Sequence, residues 1–265
     1  MGDYSGVEDT LYIPLTARVA ISKKFPQYFY DEKALELENS IPNKTIEEKS
    51  SEYTLMASVA RYHNFDEMAQ NFIDDHRECN IVNLGVGLET SYHRLNVKNA
   101  MFCEVDLPEV IELREKFIEV EKNEQYVKGD LFKLDWIQYI DTSLPTLMLV
   151  SGVFQYFHEN EIIDFLRNVQ NEFENAELIF DATSKNGLKF TNFYVKRTGN
   201  SSALMHFYVN DAEDFARKSN TQLMESRVFY TQARKMLSDK LSLFTKISMN
   251  VADRFGQAKI IHLKL

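Results

Sequence analysis

Ile81-Val82-Asn83-Leu84-Gly85-Val86-Gly87-Leu88-Glu89-Thr90 is answered, about twenty residues on, by Phe102-Cys103-Glu104-Val105-Asp106. An apolar run, a tight G-x-G, a predicted helix, a second apolar run and a terminal carboxylate make the first half of a nucleotide-binding βαβ unit. Gly85 and Gly87 lack Cβ atoms, so the backbone can turn sharply after the first strand and press against a ligand. Asp106 would then accept hydrogen bonds from both ribose hydroxyls. A dinucleotide fingerprint carries a third glycine where the helix opens, and this chain has Thr90 there. That points to an adenosine ligand without a pyrophosphate, and S-adenosylmethionine (SAM) fits. Two glycines also occur in ordinary strand-to-helix turns; the carboxylate at the right distance favours the ligand.

Downstream, Pro108 suits the first turn of a helix carrying Val110, Ile111, Arg114, Phe117 and Ile118. Tyr126-Val127-Lys128 predicts a short strand leading to Gly129-Asp130-Leu131. Thr146 to Val150 is continuously apolar, as in a strand covered on both faces, and stops at Ser151-Gly152. Ile162, Ile163, Leu166, Val169 and Phe173 predict an amphipathic helix, followed by a strand from Glu177 ending at Asp181. Sustained alternation of strand and helix predicts one parallel sheet with helices on both faces. Lys185 to Asn210 is polar and aromatic by turns, with Asn192, Phe193, Tyr194, His206, Phe207 and Tyr208. Leu223 to Tyr230 and Lys259 to Leu265 read as a terminal strand pair, with Phe215 on a helix before it.

Upstream, Pro14, Pro26 and Pro42 divide Asp9 to Ile41 into short helical pieces, a wrapped N-terminal extension. Lys44 to Ser51 reads as a surface loop. Leu55, Met56, Val59 and Ala60 keep helical spacing until Tyr62-His63-Asn64 interrupts, and a new helix capped by Asp66 carries Met68, Ala69, Phe72 and Ile73. Arg61 falls at that junction.

At 265 residues, 44% hydrophobic and 26% charged, the chain is of ordinary globular composition and long enough for a substantial core. A net charge of -10 argues against nucleic acid, whose phosphates it would repel. No apolar run approaches membrane-spanning length and no signal peptide is read, so no membrane partner and a cytoplasmic location are expected. Cys79 and Cys103 read as buried, reduced thiols. The six histidines show neither H-x-x-x-H spacing nor pairing with cysteine, so no metal is expected. No repeat, heptad or long exposed apolar stripe is evident, which leaves the oligomeric state open.

Gly85, Asp106, Asp130, Ser151 and Asp181 each lie where an apolar run stops. In an open parallel sheet those points share one edge, where ligands bind beside the topological switch. Polar residues follow strands in any α/β protein, yet four in succession favour a pocket.

Together with Leu15-Thr16-Ala17-Arg18-Val19-Ala20, the Asp31-to-Leu37 helix and Arg61, the blocks Val82 to Glu89, Glu104-Val105-Asp106-Leu107-Pro108-Glu109-Val110 and Ser151-Gly152-Val153-Phe154-Gln155-Tyr156 resemble the leucine carboxyl methyltransferase superfamily. More narrowly, they are similar to its bacterial branch of O-methyltransferases related to polyketide biosynthesis, of the tetracenomycin type. The matching blocks run from about residue 10 to about residue 182. The resemblance implies a class I SAM-dependent methyltransferase: a Rossmann-like three-layer α/β sandwich whose mostly parallel seven-stranded sheet has an antiparallel last strand. Residues 1–75 would be a helical N-terminal extension, 76–182 the SAM-binding core, and 183–265 an acceptor-side insertion with the terminal strand pair, in one domain.

The resemblance also implies roles. Arg61 would hold the methionine carboxylate of SAM, for which a guanidinium is suited. Gly85 would lie under the methionine half, with Gly87 also lining the cofactor, Asp106 would bind the ribose with Glu104 as second candidate, and Asp130 and Leu131 would meet the adenine. Arg18 would stand near the methionine end. Where the family has a glutamate facing the methionine ammonium, this chain has Ser151, which removes a charge partner. The expected reaction is SAM-dependent O-methylation of a carboxylate or hydroxyl of a small molecule, yielding S-adenosylhomocysteine, with Lys185 to Tyr208 and Tyr156 on the acceptor side. A carboxylate acceptor needs no general base; for a hydroxyl, His158 or His206 is the candidate, with Tyr156 beside them. Two alternatives stand: a non-catalytic SAM-binding sensor or partner module, motivated by Ser151, and a methyltransferase acting on a protein C-terminal carboxylate.

Overall fold

The computed structural model describes residues 5–42, 45–189, 192 and 204–265. Its sheet has seven strands: β1 (Cys79–Leu84), β2 (Ala100–Asp106), β3 (Glu124–Lys128), β4 (Thr146–Val150), β5 (Ala176–Thr183), β6 (Gln222–Val228) and β7 (Ala258–Lys264). They lie in the order β3-β2-β1-β4-β5-β7-β6. The first five are parallel, and β7 runs antiparallel to β5 on one side and β6 on the other. Every residue of β1 and β4 is buried; β4 reads as an apolar run for that reason, while β1 also buries Asn80 and Asn83, whose amides bond to Thr146 and Ser91. The chain builds outward from β1 to β3 and then returns to place β4 on the other side of β1, so the switch point lies between β1 and β4.

Successive side chains on a strand point to opposite faces, and this divides the interior in two. On one face Ile81, Phe102, Leu147, Leu149, Ile179 and Ile260 pack with Ala17 and Ile21 of α1 (Ser5–Lys24), Met56, Val59 and Phe72 of α4 (Glu52–Asp75), and Met249. On the other, Val82, Cys103, Val105, Met148, Val150, Phe180 and Ile261 pack with Ile162, Phe165 and Leu166 of α7 (Glu159–Gln170) and Phe215 of α8 (Ala212–Ser219). These two cores make the three layers. A third cluster joins Tyr12, Leu15 and Val19 of α1 and Ala34 of α2 (Glu32–Glu36) to Leu88, drawing the N-terminal helices over the loop that leaves β1.

Several local expectations change. Pro14 does not break the N-terminal segment: α1 runs through it for 20 residues. An internal proline costs about 3 kcal/mol, but α1 is buried on two sides, and that packing outweighs the lost hydrogen bond. Nor does Tyr62-His63-Asn64 interrupt α4, which is continuous over 24 residues. Asn64 returns its amide to the Ala60 carbonyl (2.7 Å) and reaches the Phe229 carbonyl (3.0 Å), while His63 stacks on Tyr28. Arg61 is therefore mid-helix, and Asp66 caps nothing; it binds Arg94. The expected loop before α4 holds the short helix α3 (Thr45–Lys49), and the helix after the glycine turn shrinks to α5 (Ser91–Arg94). The helix α6 (Pro108–Arg114) ends before Phe117 and Ile118, α7 stops short of Phe173, and β5 continues past Asp181 to Thr183.

Between β6 and β7 lie α9 (Thr231–Met236) and α10 (Leu243–Arg254). Contrary to the sequence reading, an exposed apolar stripe does exist: Leu243, Phe244, Ile247, Val251 and Phe255 all face outward on or beside α10. Their helical spacing is regular, but it resembles that of any core helix until burial is known. Among the described residues, no helix is long and apolar enough to cross a membrane.

Candidate active site

The glycine turn is held in a conformation that side chains oppose. Gly85 has φ +75° and Gly87 φ +52°, both left-handed. The Gly85 and Val86 amides donate to the Val105 carbonyl at 2.9 and 3.1 Å, which pins the turn to β2. A Cβ on Gly85 would lie 2.5 Å from Val153 Cγ2, so this glycine also lets the loop after β4 close against the loop after β1 at the switch point.

Asp106, at the tip of β2, accepts from the Gly87 amide through Oδ2 and from the Leu107 amide through Oδ1, each at 2.8 Å. Burial pushes its carboxyl above the ordinary value, and the two amide bonds oppose that rise. Glu104, two residues earlier on the same face, is buried completely and neither oxygen accepts a well-formed hydrogen bond. Burial pushes its carboxyl up to about 8, against the nearby Arg114 guanidinium.

The loop from Gly87 to Thr90 is gripped from behind by two buried arginines. Arg114 donates to the carbonyls of Gly87 (3.2 Å) and Glu89 (2.5 Å), pairs with Glu124 (3.3 Å), and lies over the Tyr126 ring. Arg18 donates to the Leu88 carbonyl (2.6 Å), to Asp31 (2.9 Å) and to the Thr90 hydroxyl. Asp31 also receives Thr90 Oγ1 (2.6 Å) and Arg94 Nη1 (2.8 Å), and Arg94 continues to Asp66 and Glu89. Burial alone would raise the Asp31 carboxyl; Arg94 and Arg18 instead hold it at about 2. Thr90, at the position of the missing third glycine, is thus buried in an ion network that ties α1, α2, α4 and α5 to the loop. The Arg18 guanidinium is engaged there instead of standing free at a methionine end.

Where β4 ends and β5 nears its end, a second group assembles. Arg61 Nη1 lies 3.4 Å from Asp181 Oδ2, and the Gly152 amide donates to Asp181 Oδ1 at 2.5 Å. Burial works against the charge on Arg61, but Asp181 outweighs it and holds its pKa above the ordinary value. Gly152 has φ +74°, and a Cβ there would meet Arg61 Nη1 at 2.6 Å. Ser151 Oγ is buried without a hydrogen-bond partner.

Asp130 follows β3 and caps a 3-10 turn, accepting from the Phe132 amide at 3.0 Å; Leu131 is half-buried beside it. On the other flank, the rings of His158 and His206 lie 4.5 Å apart, both residues exposed, and the His206 amide donates to the Gln155 carbonyl at 2.7 Å. Tyr156 is exposed on the same turn. Phe193 and Tyr194 lie outside the described residues. Among the described residues, no group of three or more His, Cys, Asp or Glu could hold a metal, and both cysteines are free and buried.

The structure therefore brings Gly85, Gly87 and Asp106 together, pairs Arg61 with Asp181 beside Ser151, and sets His158 against His206. Glu104 sits deeper than Asp106. Sequence reasoning missed Arg94 and Arg114 as organisers of the loop. For Arg114 the signal was there: a charged residue at helical spacing from Val110 and Ile111, on an apolar face.

Comparison with known proteins agrees in fold and family. The leucine carboxyl methyltransferase family model matches residues 12–170. The tetracenomycin polyketide synthesis O-methyltransferase TcmP of Streptomyces glaucescens is 24% identical, the match covering 71% of this chain and 70% of that protein. Leucine carboxyl methyltransferase 1 of Debaryomyces hansenii is 26% identical over 49% of this chain and 48% of its own length. Among solved structures, a duf574 family protein from Streptomyces avermitilis aligns with TM-score 0.58 at 12% identity, covering 94% of this chain and 96% of that one. Magnesium protoporphyrin IX methyltransferase from Synechocystis, with S-adenosylhomocysteine bound, aligns at 0.51 with 11% identity over 82% and 88% of the two chains.

Proposed function

The chain belongs to the leucine carboxyl methyltransferase family and is a SAM-dependent methyltransferase, and from that premise we propose that it transfers the methyl group to an oxygen of a small molecule. The observation that carries the oxygen acceptor is the match to TcmP, which spans more than two thirds of both chains.

The strand tips fit SAM. Gly85 and Gly87 offer bare backbone at the switch point. Each Asp106 oxygen holds one amide and keeps a second lone pair for a ribose hydroxyl. Ser151 Oγ lacks a partner, as a group awaiting a ligand would. In this reading Arg61 receives the methionine carboxylate, and Asp130 with Leu131 meets the adenine. Asp130 also caps its turn, so replacing it would disturb both.

When bound, SAM would supply an electrophilic methyl on a sulfonium, which an acceptor oxygen would take in line as the carbon–sulfur bond breaks and its electron pair stays with S-adenosylhomocysteine. The protein's part is to hold the oxygen at attack distance and exclude water. A carboxylate acceptor arrives already ionised. A hydroxyl must lose its proton, and in this reading His158 or His206, whose rings lie 4.5 Å apart, takes it, with Tyr156 beside them.

Isothermal titration with SAM and NAD, then turnover of methyl-labelled SAM with a panel of carboxylic acids and phenols, tests the reading. SAM should bind, and label should move to a small molecule. Binding of NAD but not SAM would overturn it. Label on a C-terminal peptide alone would favour the second reading, for which the match to leucine carboxyl methyltransferase 1 speaks.

A further inference from the structure

We infer that Asp181, two residues before the end of β5, receives the ammonium group of the methyl donor's amino-acid end, a place that the serine just after β4 leaves without a charge. The inference rests on the SAM reading above and adds to it the residue that completes the subsite.

An α-amino acid presents a carboxylate and an ammonium on one carbon, so a site for it needs a cation and an anion side by side. Arg61 and Asp181 are such a pair, with side chains only 14% and 10% exposed. Their single contact of 3.4 Å is long for a charge-assisted bond, so the pair is not a closed fork. The fork is incomplete elsewhere too: Arg61 Nε is buried and unpartnered. Asp181 is itself aimed by the chain, since the Gly152 amide fixes Oδ1 and leaves Oδ2 toward Arg61.

Around this pair are two more buried oxygens without partners, Ser151 Oγ just after β4 and Thr183 Oγ1 at the end of β5. Buried polar atoms in native proteins are rarely left unsatisfied, and three unmet or half-met groups where β4 and β5 end, with Arg61 reaching them from α4, point to a polar ligand end. Alternation along β4 and β5 puts Leu147, Leu149 and Ser151 on one face, and Ile179 and Asp181 on the same one, beneath α4. Gly152 permits the arrangement, because any side chain there would occupy the position of the Arg61 guanidinium. A carboxylate on β5 can thus do from one strand over what a glutamate on β4 would do directly.

The test is titration calorimetry on the full chain with three ligands: S-adenosylhomocysteine, its analogue lacking only the amino group, and 5′-methylthioadenosine, which lacks the whole amino-acid end. Wild type should prefer S-adenosylhomocysteine to the des-amino analogue by about tenfold or more, the scale of one charged hydrogen bond. D181N should bind these two alike and hold methylthioadenosine as wild type does, and the double variant S151E/D181N should regain the preference. Undiminished preference in D181N would overturn the inference while leaving the SAM reading intact. Equal weakening of all three ligands would also overturn it, by reducing Asp181 to a support of the loop. Failure of wild type to bind any of them would sink both readings.

Discussion

Asp106 and Glu104 are two residues apart on one face of β2, and the environment gives them different work. Asp106 reaches the strand tip and holds two loop amides, so Asp106→Ala removes both those bonds and, in the proposed reading, the ribose contact. We expect it to weaken SAM binding by about 1.5–3 kcal/mol, the scale for charged hydrogen bonds, measured by calorimetry. Unchanged affinity would move the ribose contact to Glu104. For Glu104 the folded-state pKa, about 8, lies above that of the unfolded chain. Stability from its protonated form is present at acid pH and lost as pH rises from the unfolded value through about 8. Glu104→Gln should therefore gain on wild type across that range by more than about 1 kcal/mol in urea melts at stepped pH. Parallel pH profiles for the two proteins would show that Glu104 is ionised in the native state. The meeting of the glycine turn with Asp106 was legible from spacing because both belong to one βαβ unit. Arg94 was not, because its partners Asp31, Asp66 and Glu89 come from separate elements and only the fold brings them together.

Among the elements, the N-terminal helices depend on an ion network more than on their own periodicity. Arg94 serves three carboxylates while its guanidinium lies over the rings of Phe29 and Tyr62. Arg94→Met would leave buried charges uncompensated, and we expect a loss of about 3–5 kcal/mol in denaturant unfolding. Asp31 adds a pH signature. Its folded pKa of about 2 is depressed, so its contribution is present above the unfolded value near 4 and lost as pH falls toward 2. In Arg94→Met the folded pKa moves up toward the unfolded value, so the drop on going from pH 5 to pH 3 should be smaller than in wild type. Melts at pH 5 and pH 3 compare the two proteins; an equal drop in both would show that Arg18 alone holds Asp31. The continuity of α4 could not be read from pattern, since Tyr62, His63 and Asn64 break its apolar spacing. Each is accommodated by a neighbour: guanidiniums over Tyr62, the Tyr28 ring on His63, and the Phe229 carbonyl for Asn64.

At the scale of the molecule, the alternation of strands and helices carried the fold class, and the unbroken apolar run of β4 marked the middle of the sheet. The place of β7 was not legible beyond its being paired, because antiparallel partners can pair in either order. β7 sends Ile260 into one core and Ile261 into the other, both fully buried. Ile260→Ala and Ile261→Ala should each cost about 2–5 kcal/mol in urea unfolding. A marked difference between them would mean that the two layers do not melt as a unit.

Because β7 is wedged between β5 and β6, those two strands have no direct contact to form until a later part of the chain arrives. During synthesis the Arg61–Asp181 edge and the whole β6 ribbon therefore wait with open flanks, exposed to pairing with a neighbouring nascent chain. The ligand crevice can be outlined early by β1 to β4, yet its β5 wall is locked only when Thr183 meets Ala258. The free edge of β5 thus has its partner only in the last strand of the chain.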